Sequence, residues 1–229
     1  DADIQDAIND GIIMVGAAGN NCSRMDTLNG SYYNSYAEWS GSSFGSYFYQ
    51  RGSTPSSASN VICVGSLDSY VYDAIESKSS FSNFGRRVDI FAPGHDIQSS
   101  MILTNPSSPP PTDPRSSSHY LQKYNGTSMA SPQVCGVLAC LMERYPNIKQ
   151  EDAVNFLTEN FNSLNNIANP LNDLYYSIED TPNRLLYNFQ ERKYGNAIGR
   201  PDDGNAYPSL SRGLRKNKNA KYPRVKVNR

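Results

Sequence analysis

Asn125-Gly126-Thr127-Ser128-Met129-Ala130-Ser131-Pro132 leads directly into an apolar run in which Val134, Val137, Leu138, Leu141 and Met142 recur at three- and four-residue intervals. That spacing is the buried face of a helix, and it puts Ser128 in the helix's first turn. Backbone N–H groups there have no partner inside the helix, and the positive end of the macrodipole favours a developing negative charge. Gly126, lacking a side chain, lets another molecule approach the backbone closely. A serine at such a place is commonly no more than a cap. A hydroxyl nucleophile enclosed by small residues at the mouth of a helix is also an arrangement that chemistry can use.

The surrounding chain supplies a sheet for that helix. Ile4, Ala7 and Ile8 share one helical face and Gly11 follows as a stop, so residues 1–10 read as the last turns of a helix. The apolar run 12–17 then leads into Ala18-Gly19-Asn20 and reads as a buried strand of a parallel sheet. In open α/β sheets ligands lie beyond the carboxyl ends of the strands, which is where Gly19 and Asn20 would emerge. Residues 61–66 and 88–92 read as two more buried strands. Tyr145-Pro146 ends the serine helix, and Ala153, Phe156, Leu157 and Phe161 mark one further amphipathic helix.

From Gly126 to Pro132 the sequence resembles, without a mismatch, the active-serine motif of the subtilisin-like serine proteases, the subtilases. Gly16-Ala17-Ala18-Gly19-Asn20 is similar to that family's oxyanion-asparagine segment. Ser80-Phe81-Ser82-Asn83-Phe84-Gly85 and Ala92-Pro93-Gly94 are similar to its later loops, in the family's order. The resemblance covers residues 1–162 and implies the C-terminal part of a subtilisin-like catalytic domain. Its fold would be three-layered α/β, a mostly parallel sheet with helices on both faces, with the front part absent from this chain. The activity it implies is that of a serine endopeptidase acting on a protein or peptide substrate. Ser128 would attack the peptide carbonyl, and the side-chain amide of Asn20 with the backbone N–H of Ser128 would bind the oxyanion. Ala17, Ala18 and Gly19 would form one wall of the pocket for the residue before the cut. Thr127 would support the oxyanion site from behind or serve as a plain helix cap. Calcium is implied by the resemblance alone, since no clustered acidic loop identifies a site; no other cofactor is identifiable.

A serine hydroxyl is a poor nucleophile until a base takes its proton, and the base needs a carboxylate to hold its tautomer. In the family both precede the oxyanion asparagine, which here is already residue 20. Neither Asp3 nor Asp6 stands in the family's Asp-Ser/Thr-Gly setting. Neither His95 nor His119, the chain's two histidines, stands in a Gly-His-Gly-Thr setting. The Asp and His of the triad are therefore expected upstream or on another chain, and this chain alone is expected to be inactive. Strands that are apolar throughout need cover on both faces, and few helices are available to give it. An upstream segment or a tightly bound second chain is expected to complete the fold. The alternative is a catalytically silent subtilisin-fold module serving structure or assembly. An esterase is a third reading, because the same nucleophile and oxyanion site serve any acyl transfer.

Composition narrows the partners. The 229 residues carry a net charge of −1, so the chain as a whole implies no nucleic-acid partner, and no run of eighteen apolar residues predicts a membrane span. The four cysteines, Cys22, Cys63, Cys135 and Cys140, have no zinc spacing and read as free buried thiols. Two stretches are insertions relative to the family. Residues 21–53 interleave Tyr32, Tyr33, Tyr36, Trp39, Phe44, Tyr47, Phe48 and Tyr49 with serine and glycine. These aromatics form either a substrate-side surface or contacts with each other or a neighbouring subunit. Residues 104–119 contain five prolines among serines and are expected as an exposed semi-rigid loop. Thr54-Pro55 falls where family members often carry a cis bond. Residues 163–229 are expected as an extended basic tail outside the core. Residues 204–229 hold eight Lys or Arg and no acid. That tail is suited to an acidic face, and no motif accompanies its charge to point to nucleic acid.

Overall fold

In the computed structural model of the chain, residues 2–34, 36–39, 46–49, 51–70, 76–103, 107, 109–159, 167–168, 176, 178–182 and 184–186 are described. In chain order the elements are α1 (Ala2–Asn9), β1 (Val15–Ala17), β2 (Tyr36–Trp39), β3 (Ser46–Tyr49), β4 (Ile62–Leu67) and β5 (Glu76–Ser77). They continue with β6 (Ile90–Pro93), β7 (Ile97–Met101), β8 (Thr112–Asp113), β9 (Ser116–Tyr124), α2 (Thr127–Arg144), α3 (Gln150–Glu159) and β10 (Ile167–Ala168).

The centre is a parallel sheet in the order β1-β4-β6, with Val15 opposite Ile62 and Val64 opposite Ile90. Every residue of β4 is buried, as its unbroken apolar run requires of a strand covered on both faces. Alternation divides the side chains between two cores. Ile62, Val64, Ile90 and Ala92 meet Ala130, Val134, Leu138 and Leu141 of α2, and Ala153, Phe156 and Leu157 of α3. Cys63, Leu67 and Phe91 point the other way, to Ala18, Met25, Val88 and Leu185. Helices α2 and α3 thus share one face. On the opposite side, among the described residues, Leu185 closes the second core with Ile178 packed beside it.

Packing continues past the boundary expected at residue 162. The Phe91 N–H donates to the Arg184 carbonyl (2.9 Å) and the Leu186 N–H to the Phe91 carbonyl (2.8 Å), so residues 184–186 extend the sheet beyond β6. Upstream of them, β10 pairs in parallel with β5. Asp180 accepts from both Arg24 (2.7 Å) and Arg86 (2.8 Å), and Glu179 lies 3.1 Å from Arg24. A segment poor in aliphatics is held here by edge pairing and ion pairs rather than by a periodic apolar face. Residues 187–229, including the basic stretch, lie outside the described residues.

The second insertion also differs from the expected loop. β7 pairs antiparallel with β9 and β8 with β9, so residues 112–118 are largely strand. Pro109, Pro110 and Pro111 precede β8, and Pro114 lies in the turn between β8 and β9, where the ladder needs no N–H from it. In the first insertion, β2 and β3 form an antiparallel hairpin with Tyr36 opposite Tyr49; their side chains lie outside the described residues. Its start is fixed by Asp26, 2% exposed, which accepts hydrogen bonds from the Thr27 and Tyr32 N–H groups. The Arg24 guanidinium lies 3.7 Å over the Tyr32 ring. The Thr54–Pro55 bond is cis.

All four cysteines are thiols outside any disulfide, but only Cys63 is fully buried, its thiol pushed up to about 12 by that burial. Cys22 is half-buried, and Cys135 and Cys140 are exposed on α2 together with Gly136 and Ala139. That face of α2 carries small residues and is exposed among the described residues. Among the described residues no helix is long and apolar enough to cross a membrane.

Candidate active site

The parallel pairing of β1 continues through the Ala18 N–H, which donates to the Val64 carbonyl (2.9 Å), and so carries Gly19 and Asn20 to the C-terminal edge of the sheet. The first turn of α2 meets them there. The Asn20 Oδ1 accepts from both the N–H and the Oγ1 of Thr127, each at 2.9 Å. A backbone N–H can only donate, so the atom facing it is the amide oxygen and Nδ2 is left as the donor. Thr127 is fully buried, and its Oγ1 also accepts from the Gly19 N–H at 3.0 Å. The threonine hydroxyl therefore joins α2 to the Asn20 loop instead of capping its own helix.

Gly126 leaves a small open space in front of this arrangement. A Cβ at that residue would lie 3.4 Å from Asn20 Nδ2 and 3.7 Å from the Ser128 nitrogen, with only Met129 Sδ as close, at 3.4 Å. The Ser128 N–H belongs to the first turn and has no intrahelical partner. Two N–H donors thus border one point, next to a serine that is itself exposed. The approach to the helix is held by the Gly126 N–H donating to the Gly94 carbonyl and the Asp96 N–H donating to Asn125 Oδ1, both 2.7 Å. Gly94 is needed for this contact, because a Cβ there would stand 2.7 Å from the Gly126 carbonyl oxygen.

Of the three residues expected to line a pocket wall, Ala17 and Gly19 are half-buried and present some surface. Ala18 is 1% exposed, and its side chain belongs to the core with Met25 and Phe91. The side-chain alternation of β1 turns it inward, so only its backbone is near the site.

The histidines make their bonds elsewhere. His95 Nδ1 is 2.7 Å from Ser69 Oγ and 3.5 Å from Asp68 Oδ1, with Tyr70 and Phe81 beside the ring. His119, on β9, bonds to Ser116 and Ser118 through Nδ1. Among the described residues neither hydrogen-bonds Ser128. Nor does any group of three or more His, Cys, Asp or Glu side chains come together as a metal site, so the calcium implied by resemblance finds no such cluster here. A cleft of about 560 Å³ lined by Ile8, Asn60 and Gln150 opens at the other end of β1, away from Ser128.

Two polar residues near the site carried no role in the sequence reading. Asn83 is 6% exposed and bonds to the backbone on both sides of Asn20. Lys78 is 0% exposed; its Nζ donates to the Ser79 (3.0 Å) and Ser82 (2.9 Å) carbonyls and lies 3.9 Å from Cys22 Sγ. Burial pushes its pKa down to about 8. A single lysine among serines reads as surface, so only the fold reveals it.

The chain belongs to the subtilase family, whose model matches residues 1–196. Subtilisin-like protease 8 of Trichophyton verrucosum is 35% identical over 136 residues, 59% of this chain and 24% of that protein. An extracellular protease of Xanthomonas campestris is 38% identical over 109 residues, 48% of this chain and 17% of that protein. A subtilase-type proteinase of Saccharomyces cerevisiae is 29% identical over 217 residues, 91% of this chain and 32% of that protein. The chain spans about a quarter of the length of the first two fungal relatives it matches. Among solved structures, a cold-adapted subtilisin-like serine proteinase superposes with a TM-score of 0.52 at 24% identity, over 82% of this chain and 49% of that one. Fervidolysin from Fervidobacterium pennivorans, described as a keratinolytic enzyme related to subtilisin, gives 0.52 at 24% identity, over 79% and 22%. These likenesses show the α/β subtilisin fold.

Proposed function

We propose that this chain carries the nucleophile and oxyanion side of a serine endopeptidase, with the triad histidine and aspartate supplied by an upstream segment or a second chain. Ser128 Oγ attacks the carbonyl carbon of the scissile peptide while the histidine takes its proton. The carbonyl oxygen becomes an oxyanion that accepts from Asn20 Nδ2 and the Ser128 N–H. The tetrahedral intermediate collapses, the amine leaves with the proton, and water then releases the acyl group from Ser128 by the same steps. Thr127 holds the Asn20 amide with its nitrogen outward, and the backbone of residues 17–19 lines the substrate side. The observation that carries this reading is the pair of donors, Asn20 Nδ2 and Ser128 N–H, bordering the space that Gly126 leaves open. Donors fixed in advance around a developing charge lower the barrier without reorganising.

The missing part would also cover what the described chain leaves bare. β1 pairs only with β4 in the described sheet, and α2 exposes Cys135, Gly136, Ala139 and Cys140. A second reading, a silent structural module, is favoured by one observation, that both histidines are engaged away from Ser128. Peptide cleavage by the complete protein against its Ser128→Ala variant separates the two. Loss of cleavage in the variant supports the enzyme; equal cleavage, or none in either form, removes it.

A further inference from the structure

We propose that Asn83 is a positioning residue that sets the Asn20 amide, an inference that rests on the reading of Asn20 as an oxyanion donor. Four hydrogen bonds from this one residue enclose Asn20. Its Oδ1 accepts from the Asn21 N–H (3.1 Å) and the Ser23 N–H (2.9 Å), both after Asn20. Its Nδ2 donates to the Ala18 carbonyl (2.8 Å), and its backbone N–H donates to the Gly19 carbonyl (2.9 Å), both before it. Only Asn20 itself is left uncontacted within residues 18–21, and that residue is held separately by Thr127.

The side chain fits this task chemically. It must accept two N–H groups on one atom and donate to a carbonyl from another, which a carboxamide does; an ionised carboxylate has no donor, an ammonium no acceptor, and a hydroxyl only one atom for both tasks. Gly19 is matched to it. A Cβ at residue 19 would stand 2.6 Å from Asn83 Nδ2, and the residue has φ +103°, so glycine is required both for the close approach and for the backbone conformation.

Asn83 is in turn anchored to the sheet. The Ser66 N–H of β4 donates to Ser82 Oγ (2.9 Å), and that hydroxyl donates to the Asn83 carbonyl (3.0 Å). The Lys78 ammonium gathers the same turn through the Ser79 and Ser82 carbonyls. Residues 78–83 thus form a rigid bracket between the central strand and the Asn20 loop. An oxyanion donor works only within about 2.7–3.1 Å of the developing charge, so the loop's position governs turnover more than substrate binding.

The test is a kinetic cycle on the complete protease, with peptide cleavage and thermal unfolding measured for wild type, Asn20→Ala, Asn83→Ala and the double variant. Asn83→Asp is added because it keeps the acceptors and loses the donor to Ala18. Both Asn83 variants are expected to lower kcat by about 10- to 100-fold with KM changed less than about threefold. On the Asn20→Ala background, Asn83→Ala should lower kcat by less than about twofold while lowering Tm as much as it does alone. If Asn20→Ala lowers turnover and the Asn83 effect is fully additive, Asn83 does not act through Asn20 and the inference falls alone. If Asn20→Ala leaves turnover unchanged, the reading of Asn20 falls and takes this inference with it. If no Asn83 variant folds, the residue's part is structural support and the inference is likewise overturned.

Discussion

Replacing Lys78 by methionine should change how stability depends on pH. Folding removes this ammonium from water to a site with 0% exposure, where two carbonyls and a ring face at 5.5 Å receive it. Burial holds its pKa down from 10.5 to about 8. Between those values the unfolded chain binds the proton and the folded chain does not, so stability rises with pH across that window. Below about pH 8 both states are charged and the full penalty is present. At about 1.4 kcal/mol for each pH unit between the two values, it comes to about 3 kcal/mol. Cys63 works in the opposite sense. Its buried thiol is pushed from 9.0 up to about 12, so the unfolded state loses that proton first and stability falls as pH rises above 9.0. The wild-type profile mixes the two, whereas the difference between wild type and Lys78→Met isolates the lysine. Urea midpoints measured from about pH 7 to about pH 10.5 should show wild type gaining about 3 kcal/mol relative to the variant. Lys78→Arg, which stays charged throughout, should remove the rise in the same way. Parallel curves for wild type and both variants would refute a buried, titrating Lys78.

Three further outcomes follow from the geometry. Gly126→Val fills the space beside Asn20 Nδ2 at a φ of +157° that L side chains rarely adopt, so it should lower kcat at least about 100-fold and also lower the unfolding midpoint, with far-ultraviolet circular dichroism checking that the fold is kept. Thr127→Val strips Asn20 Oδ1 of one donor and the Gly19 N–H of its acceptor, at a cost of about 1–3 kcal/mol in urea unfolding and a fall in turnover. Thr127→Ser should restore both; a valine variant with wild-type turnover would count against the link. Ending the chain after residue 162 removes Asp180 and Leu185 and should lower the unfolding midpoint, whereas ending it after residue 196 should not; equal midpoints would show that residues 178–186 contribute nothing.

The parts of the fold that sequence made legible are those where one kind of residue dominates a short run. Residues 62–67 could be read as a central strand because both faces are buried, and the face of α2 that meets the sheet repeats Val134, Leu138 and Leu141. β9 could not be read that way: all of its residues are exposed or half-buried, with no apolar alternation to mark the pleat. Residues 184–186 escaped because edge pairing needs only backbone groups, and Asp180 joins Arg24 across a separation of 156 residues. Two separate short motifs, residues 16–20 and 126–132, mark Asn20, Thr127 and Ser128 as candidates, and the fold brings Asn20 Oδ1 onto Thr127. Lys78 and Asn83 were not assigned roles, because a buried polar residue has no periodic signature and its partners are backbone atoms made adjacent by folding. Ala18 keeps only its backbone on the site side, since adjacent residues of a strand face opposite sides.

The most direct test of the central claim is active-site labelling of the complete protein with a fluorophosphonate, followed by peptide mapping of the modified residue. A serine nucleophile activated by a base and flanked by oxyanion donors reacts with such a phosphonylating group, whereas a capping serine does not. A single adduct on Ser128 is expected, one that disappears in Ser128→Ala and weakens in Asn20→Ala. An adduct on another serine, or none on a protein that cleaves peptides, would contradict it.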